Sequence, residues 1–266
     1  LPLSGTASSS RRSASTTFPY FTPLGAQASY VPGLSVWNTR LELLDKTTHV
    51  RLVIQPIASI ENHGVLPLGA DLLIADCVMK SIRLPWGVVV APTIPYSTAI
   101  EHQEPRVSVN PQIFIQYLVE VGSSLLSIAD TLLFAVFHGG AYHATYLAAR
   151  ILRSMGNNVV LFDFWDTVTK AIGLKDVLVH ADCVEASILL ACGYGKGIRE
   201  TEQVDLDCAR IAPHYQPWVS LDVPDLYPRD SVPASRTLGE KLLRAASAQL
   251  GELVESILER LGASSR

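Results

Sequence analysis

No apolar stretch in this 266-residue chain approaches the roughly 20 residues needed to span a bilayer. The longest runs, Trp86–Pro95 and Thr131–Phe137, are short and are interrupted or followed by Pro, Gly or His. A soluble protein without a membrane partner is therefore expected. Basic runs are missing as well. The net charge of −4 gives no cationic surface for nucleic acid or anionic lipid, so neither is expected as a partner. The four cysteines, Cys77, Cys183, Cys192 and Cys208, form no C-x-x-C pair and no small disulfide framework; reduced thiols and a cytoplasmic location are the expectation. The chain also lacks a P-loop, a G-x-G-x-x-G turn and a G-x-S-x-G nucleophile elbow, which removes the commonest nucleotide-binding and serine-hydrolase readings. Charged residues are only 17% against 48% hydrophobic, which excludes a disordered chain and provides for a sizeable core.

What is present is an alternation of two kinds of segment. Val50–Ile57, Gly87–Ile94, Thr131–Phe137 and Asn158–Phe164 are short and rich in apolar and β-branched residues, as buried strands are. Between them, Asp71–Ile82, Pro111–Ala129, Ala141–Met155 and Asp182–Ala191 read as helices, the last with Asp182 placed to cap it. Arg236–Leu261 predicts a long terminal amphipathic helix with a break near Gly251, preceded by a Pro-rich segment, Ile211–Pro233. Strands alternating with helices indicate a mostly parallel sheet covered on both faces. Residues 1–17, Ser/Thr-rich with two arginines and no acid, read as a flexible tail, and residues 18–266 as a single domain.

In such a sheet, ligands bind beyond the carboxyl ends of the strands, and the polar residues gather there. The first strand runs into Glu61-Asn62-His63, whose alternation puts Glu61 and His63 on one side of an extended backbone. The second runs into Pro95-Tyr96-Ser97 and then Glu101-His102. The third runs into His138-Gly139-Gly140, where two glycines let a ligand approach the backbone. Asp71 stands where a helix begins, a position that an ordinary N-cap also takes; its nearness to Glu61 and His63 favours ligation. Glu185 lies between Val184 and Ile188-Leu189-Leu190-Ala191, and a carboxylate in such an apolar helix needs a partner or a cation. His180, close to Glu185 in sequence, is the candidate for protonating a leaving nitrogen. His143, within a helix, reads as structural. Carboxylates with imidazoles suit one or two divalent ions, Zn²⁺, Mn²⁺ or Fe²⁺, bound by Glu61, His63, Asp71, His138 and Glu185. Such an ion activates water for hydrolysis.

Ile60-Glu61-Asn62-His63-Gly64 through Leu66-Pro67-Leu68-Gly69-Ala70-Asp71 resembles the E-x-H-G…L-P-L-G-x-D signature of the creatininase family. His138-Gly139-Gly140 is similar to that family's N-G-H-G-G-N motif, and His180…Glu185-Ala186-Ser187 to its H-A-G-x-x-E-T-S motif. Pro95-Tyr96-Ser97 with Glu101-His102 matches part of the intervening P-Y-G-x-S-x-E-H segment. The resemblance implies a three-layer αβα sandwich, a two-metal site, amidohydrolase activity on a non-peptide C–N bond and a homohexamer. It also implies that Glu61, His63, Asp71 and His138 ligate metal with Asp71 as the bridge, that Glu185 is the acid of the last motif, and that His180 assists proton transfer. Tyr96, Ser97, Glu101, His102, Gly139 and Gly140 are then substrate-binding candidates.

The departures shape the expectation. The first motif is one residue short between His63 and Asp71, and the asparagines around His138 are replaced by Val136 and Ala141. Where creatininases carry a metal-binding acid two residues after the histidine, this chain has Gly140. The aromatic residues that enclose creatinine have no counterparts, Trp165 being the nearest tryptophan. A small formamide, as in the formamidopyrimidine deformylase branch, or a cyclic amide is expected as substrate rather than creatinine. The alternatives are a degenerate ligand-binding member and a peptidase acting on a modified peptide.

Overall fold

The computed structural model describes residues 49–173, 180–206 and 230–264. The expected tail and most of the Pro-rich segment, 207–229, lie outside the described residues. Strands β1 (Val50–Ile57), β2 (Val88–Val90), β3 (Ala129–Val136) and β4 (Val159–Asp163) form a parallel sheet in the order β2-β1-β3-β4. Leu52 lies beside Val88 on one side and Thr131 on the other, and Leu132 lies beside Val159.

Period-two alternation sends the apolar residues of these strands to both faces. Leu52 and Ile54, with Leu133, Ala135 and Phe137, enter one core. Val53 and Ile57, with Leu132, Phe134 and Val136, enter the other. Helices α1 (Ala70–Ser81), α4 (Phe164–Ala171), α5 (Cys183–Ala191) and α6 (Arg236–Ser264) cover the first face. Helices α2 (Pro111–Leu126) and α3 (Tyr142–Ser154) cover the second. The result is the expected αβα sandwich. Local chemistry sets the helix starts: the Asn110 side chain accepts from Gln112 N with Pro111 at the first position of α2, and Asp182 accepts from Val184 N and Glu185 N at the start of α5.

Several boundaries differ from expectation for identifiable reasons. Parallel pairing of the second strand stops at Val90 because Pro92 follows without a ladder donor, and the chain rejoins the sheet only as a bridge between Ile57 and Ile94. The fourth strand ends at Asp163, whose side chain accepts from Trp165 N and Asp166 N and starts α4. No break occurs at Gly251; α6 runs through it, its buried stripe continuing from Leu250 to Val254 and Ile257. A short two-stranded sheet, β5 (Ile198–Glu200) with β6 (Val232–Ala234), was not anticipated. No helix among the described residues is long and apolar enough to cross a membrane.

The expectation of reduced thiols is corrected. Cys77 in α1 and Cys192 at the end of α5 are joined in a disulfide, their Cα atoms 5.9 Å apart, and Cys183 is disulfide-bonded as well. A sequence separation of 115 hides this pairing, because only the packing of α1 against α5 brings the two sulfurs together. The bond ties two helices whose first turns carry Asp71 and Glu185.

Candidate metal centre

The strand order places β1 between β2 and β3, so the chain leaves β1 towards one side and later returns to the other. The crevice between the carboxyl ends of β1 and β3 is the topological switch point of the sheet. Glu61 and His63 follow β1, and His138 follows β3. The loop after β1 closes on itself through Glu61 N to Leu68 O (2.9 Å) and Leu66 N to His63 O (3.1 Å), with Gly64 at φ +61°. That turn delivers Asp71 in the first helical turn of α1. Asp71 does not cap the helix: Gly69 holds the N-cap position and no side chain caps there.

Four acids and four histidines meet at this point. Glu61 and His63 are fully buried, and Asp71, His102, His138, His180 and Glu185 are each at most 6% exposed. Glu61 Oε1 lies 3.2 Å from His138 Nδ1, 3.3 Å from His102 Nε2, 3.8 Å from His180 Nδ1 and 3.9 Å from His63 Nε2. Asp71 Oδ2 is 3.2 Å from His138 Nδ1 and accepts from Ser59 Oγ at 2.8 Å, while Oδ1 is 3.9 Å from His63 Nε2. Glu185 Oε1 is 3.2 Å from His63 Nε2, and Oε2 accepts from Ala181 N at 2.6 Å. Ala181 makes that bond from a left-handed conformation, φ +52°, a strain of the kind that functional sites store.

Three of the histidines share one arrangement. His63 Nδ1 faces the Glu61 carbonyl at 3.0 Å, His138 Nε2 the Thr98 carbonyl at 2.9 Å, and His180 Nε2 the Asn62 carbonyl at 3.0 Å. A carbonyl only accepts, so the anchored nitrogen carries the hydrogen and the other nitrogen points at the acids. Metal-ligating histidines are oriented in this way. Meanwhile both carboxylate oxygens of Glu61, Glu101 Oε1 and His63 Nε2 are buried without a hydrogen bond, an arrangement several kcal/mol too costly for ions without a counter-charge. Two sets of donors, Glu61–Asp71–His138 and His63–His180–Glu185, each have ligand atoms within 4.8 Å of one another. Oxygen and imidazole donors of this kind fit a borderline divalent cation.

Electrostatics agree with that fit. Burial alone would lower the pKa of His63, but the negative charge of Glu185, supported by Asp71 and Glu61, raises it to about 10. His138 is likewise opposed by burial and raised well above the ordinary histidine range by Glu61 and Asp71. Burial, followed by the like charges of His138, His63 and Arg106, lowers His102 to about 2. Burial also holds His180 neutral, with neighbouring His63, His102 and His138 adding to the effect. Metal ligation takes the deprotonated imidazole. Divalent ion titrated into metal-free protein at pH 8 is therefore expected to displace about two protons per chain, from His63 and His138, measurable by calorimetry in buffers of different ionisation enthalpy. Binding without proton release between pH 7 and 9 would show that these two do not ligate. A folded pKa of about 10 against 6.5 for free histidine stabilises the metal-free protein fully below about pH 6.5, and that stability is lost as pH rises towards 10.

All five residues expected to bind metal are thus brought together, and so is His180, at 6% exposure within the same donors. Glu101 and His102, expected only as substrate contacts, belong to the cluster itself: Glu101, His102 and His138 form a third donor set. Gly140 lies against Glu101, and Ser97 is buried nearby with Oγ lacking a hydrogen bond. Tyr96, 54% exposed, stands at the surface. His143 is exposed on α3, in keeping with its structural reading. The Trp165 indole donates to the Phe137 carbonyl at 2.6 Å, and the Arg106 guanidinium donates to the His102 carbonyl. The signal for Glu101 and His102 was their position after a strand; their burial depended on a bridge between Ile60 and Val107 that no local pattern announces.

The family model of creatininase, described as creatinine amidohydrolase, matches residues 38–254. The chain belongs to the creatininase family. Solved structures agree on the fold. One described as "Creatininase Mn" is 19% identical with a TM-score of 0.55, over 79% of this chain and 92% of its own. A creatinine amidohydrolase is 17% identical with a TM-score of 0.56, over 79% and 91%. A mutant creatininase complexed with creatine is 19% identical with a TM-score of 0.52, over 79% and 92%. No curated protein matches the chain. Family membership and the buried donor cluster together make this chain a metal-dependent amidohydrolase that acts on a small-molecule C–N bond.

Proposed function

We propose that this creatininase-family member cleaves the C–N bond of a formamide or a small cyclic amide, using one or two divalent ions held by Glu61, His63, Asp71, His138 and Glu185. The observation that carries the reading is the set of three histidines, each fixed to a backbone carbonyl by one nitrogen and aimed at buried, unsatisfied acids by the other. A bound divalent ion supplies water of lowered pKa and a polarised carbonyl. His180 starts neutral, with Nδ1 turned into the cluster; that nitrogen is set to take the proton from the attacking water and pass it to the leaving nitrogen. Glu185, held by Ala181 N and facing His63, orients the imidazole and adds negative charge. Creatinine is disfavoured because the enclosing aromatics have no counterpart. A degenerate, non-catalytic role is opposed by the gathering of Glu61, His63, Asp71, His138 and Glu185 in buried donor sets.

Purified protein is expected to carry one to two equivalents of Zn, Mn or Fe by elemental analysis, and to hydrolyse a member of a panel of formamides, cyclic amides and lactams only when loaded. Protein that takes up none of these metals would end the hydrolase reading; metal-loaded protein inert to the whole panel would end the substrate assignment. The reading also includes a single domain over residues 18–266 and a homohexamer, the latter checked by light scattering. The cytoplasmic location expected from the sequence is opposed by the Cys77–Cys192 bond, since disulfides persist mainly in oxidising compartments.

A further inference from the structure

The loop between β2 and α2 is pinned at several points. Val107 N donates to Ile60 O at 2.8 Å, Val109 N to Ser97 O at 2.8 Å, and His102 N to Ala99 O at 3.2 Å. The ring nitrogen of His138 holds the Thr98 carbonyl at 2.9 Å. These bonds present Glu101 and His102 inward as a rigid pair, with Glu101 side-chain exposure only 7%.

The Glu101 carboxylate occupies a place that only a glycine leaves open. A Cβ on Gly140 would stand 1.7 Å from Glu101 Oε1 and 2.6 Å from His138 Nε2. Gly140 thus leaves open the place that the Glu101 carboxylate takes; with a methyl group there, the end of the Glu101 side chain would have to move. Oε1 makes no hydrogen bond, while lying 3.7 Å from His138 Nε2 and 3.8 Å from His102 Nε2. A buried carboxylate oxygen left in that state faces a desolvation penalty that a cation removes.

We propose that Glu101 is a metal ligand of this centre, supplied from the β2–α2 loop into space that Gly140 keeps free, with His102 beside it. This rests on the metal-dependent reading above and extends it. The position after His138 where the sequence shows a missing acid is then compensated in three dimensions: the negative charge comes from a different segment. The centre keeps its charge although Gly140 contributes none.

The test uses Mn²⁺ alone, with no substrate. Calorimetry and elemental analysis give the number and affinity of ions bound to the wild type and to Glu101→Ala, Glu101→Gln, Gly140→Ala and the double variant Glu101→Ala/Gly140→Ala. Co²⁺ loading adds the visible absorption spectrum as a readout of donor number. Glu101→Ala is expected to weaken one ion by on the order of 100-fold, at the upper end of what outer partners of a site produce, with a changed Co²⁺ spectrum. Glu101→Gln keeps the shape and loses the charge, and should do the same if Glu101→Ala folds poorly. Gly140→Ala should reproduce the loss by evicting the carboxylate, and the double variant should be no worse than Glu101→Ala alone. Wild-type affinity and Co²⁺ spectrum in both Glu101 variants would overturn the assignment while leaving the metal site standing. Failure of the wild type itself to bind Mn²⁺ or Co²⁺ would instead overturn the metal-dependent reading and this assignment with it.

Discussion

Asp71→Ala is expected to lose metal and activity together, with turnover of whichever panel substrate is found falling by at least about 10³-fold, since water deprived of the ion returns from a pKa of about 7 towards its bulk value of 15.7. The expectation comes from the way its two oxygens divide. Oδ2 faces His138 at 3.2 Å and Oδ1 faces His63 at 3.9 Å, so one carboxylate addresses both histidine-bearing donor sets. Removing Asp71 takes a donor from the Glu61–Asp71–His138 set and also the carboxylate oxygen that faces His63 of the other set. Ser59 Oγ holds Oδ2 at 2.8 Å, which fixes the carboxylate while leaving Oδ1 without a bond from that side. Asp71→Asn retains the shape and the bond to Ser59 but removes the charge, so it separates charge from packing. Elemental analysis and kinetics on both variants decide: an alanine variant that keeps two equivalents of metal would exclude the bridging role.

The division of Asp71 between two partners was legible only in part before the fold was known. The sequence placed Glu61, His63 and His138 at strand ends and Asp71 at a helix start, and those placements hold because period-two strands and parallel βα units constrain where a chain can turn. It left Asp71 between an N-cap and a ligand. The structure removes the N-cap reading, because Gly69 takes the cap position and leaves Asp71 inside the first turn. Glu101 and His102 were undervalued because their approach to Glu61 depends on a bridge between residues 60 and 107, a contact set by the whole sheet. Gly140 was read as an absence, the place of a missing acid, whereas it is an opening filled by a carboxylate from elsewhere. The Cys77–Cys192 bond was missed for the same reason: spacing along the chain says nothing of two helices packed side by side.

Gly239→Ala is expected to lower stability strongly, against the intrinsic preference of a helix for alanine. Gly239 lies in the first turn of α6, where the helix crosses α5. A Cβ there would stand 1.9 Å from the Ser187 carbonyl oxygen, 2.5 Å from its carbon and 2.9 Å from Ala191 Cβ. Two of these atoms are backbone of a helix buried from Cys183 through Leu190, so the overlap is relieved only by moving one helix away from the other. Overpacking of this kind costs about 1–3 kcal/mol and occasionally more; contact with backbone puts Gly239→Ala at or beyond about 3 kcal/mol, a fall in Tm of roughly 6–12 °C for a chain of this size. Gly251, further along the same helix with open space around its Cβ position, is the control: there Gly→Ala should stabilise by up to about 1 kcal/mol. The consequence reaches the centre, because Ser187 follows Glu185 by two residues and its hydroxyl accepts from Ser235 N at 3.0 Å. Pushing α5 outward at Ser187 moves Glu185 relative to His63, so metal affinity should fall along with Tm. Thermal melts of both glycine variants with and without Mn²⁺ test the pair; equal stability changes at 239 and 251 would show that the α5–α6 crossing does not need its glycine.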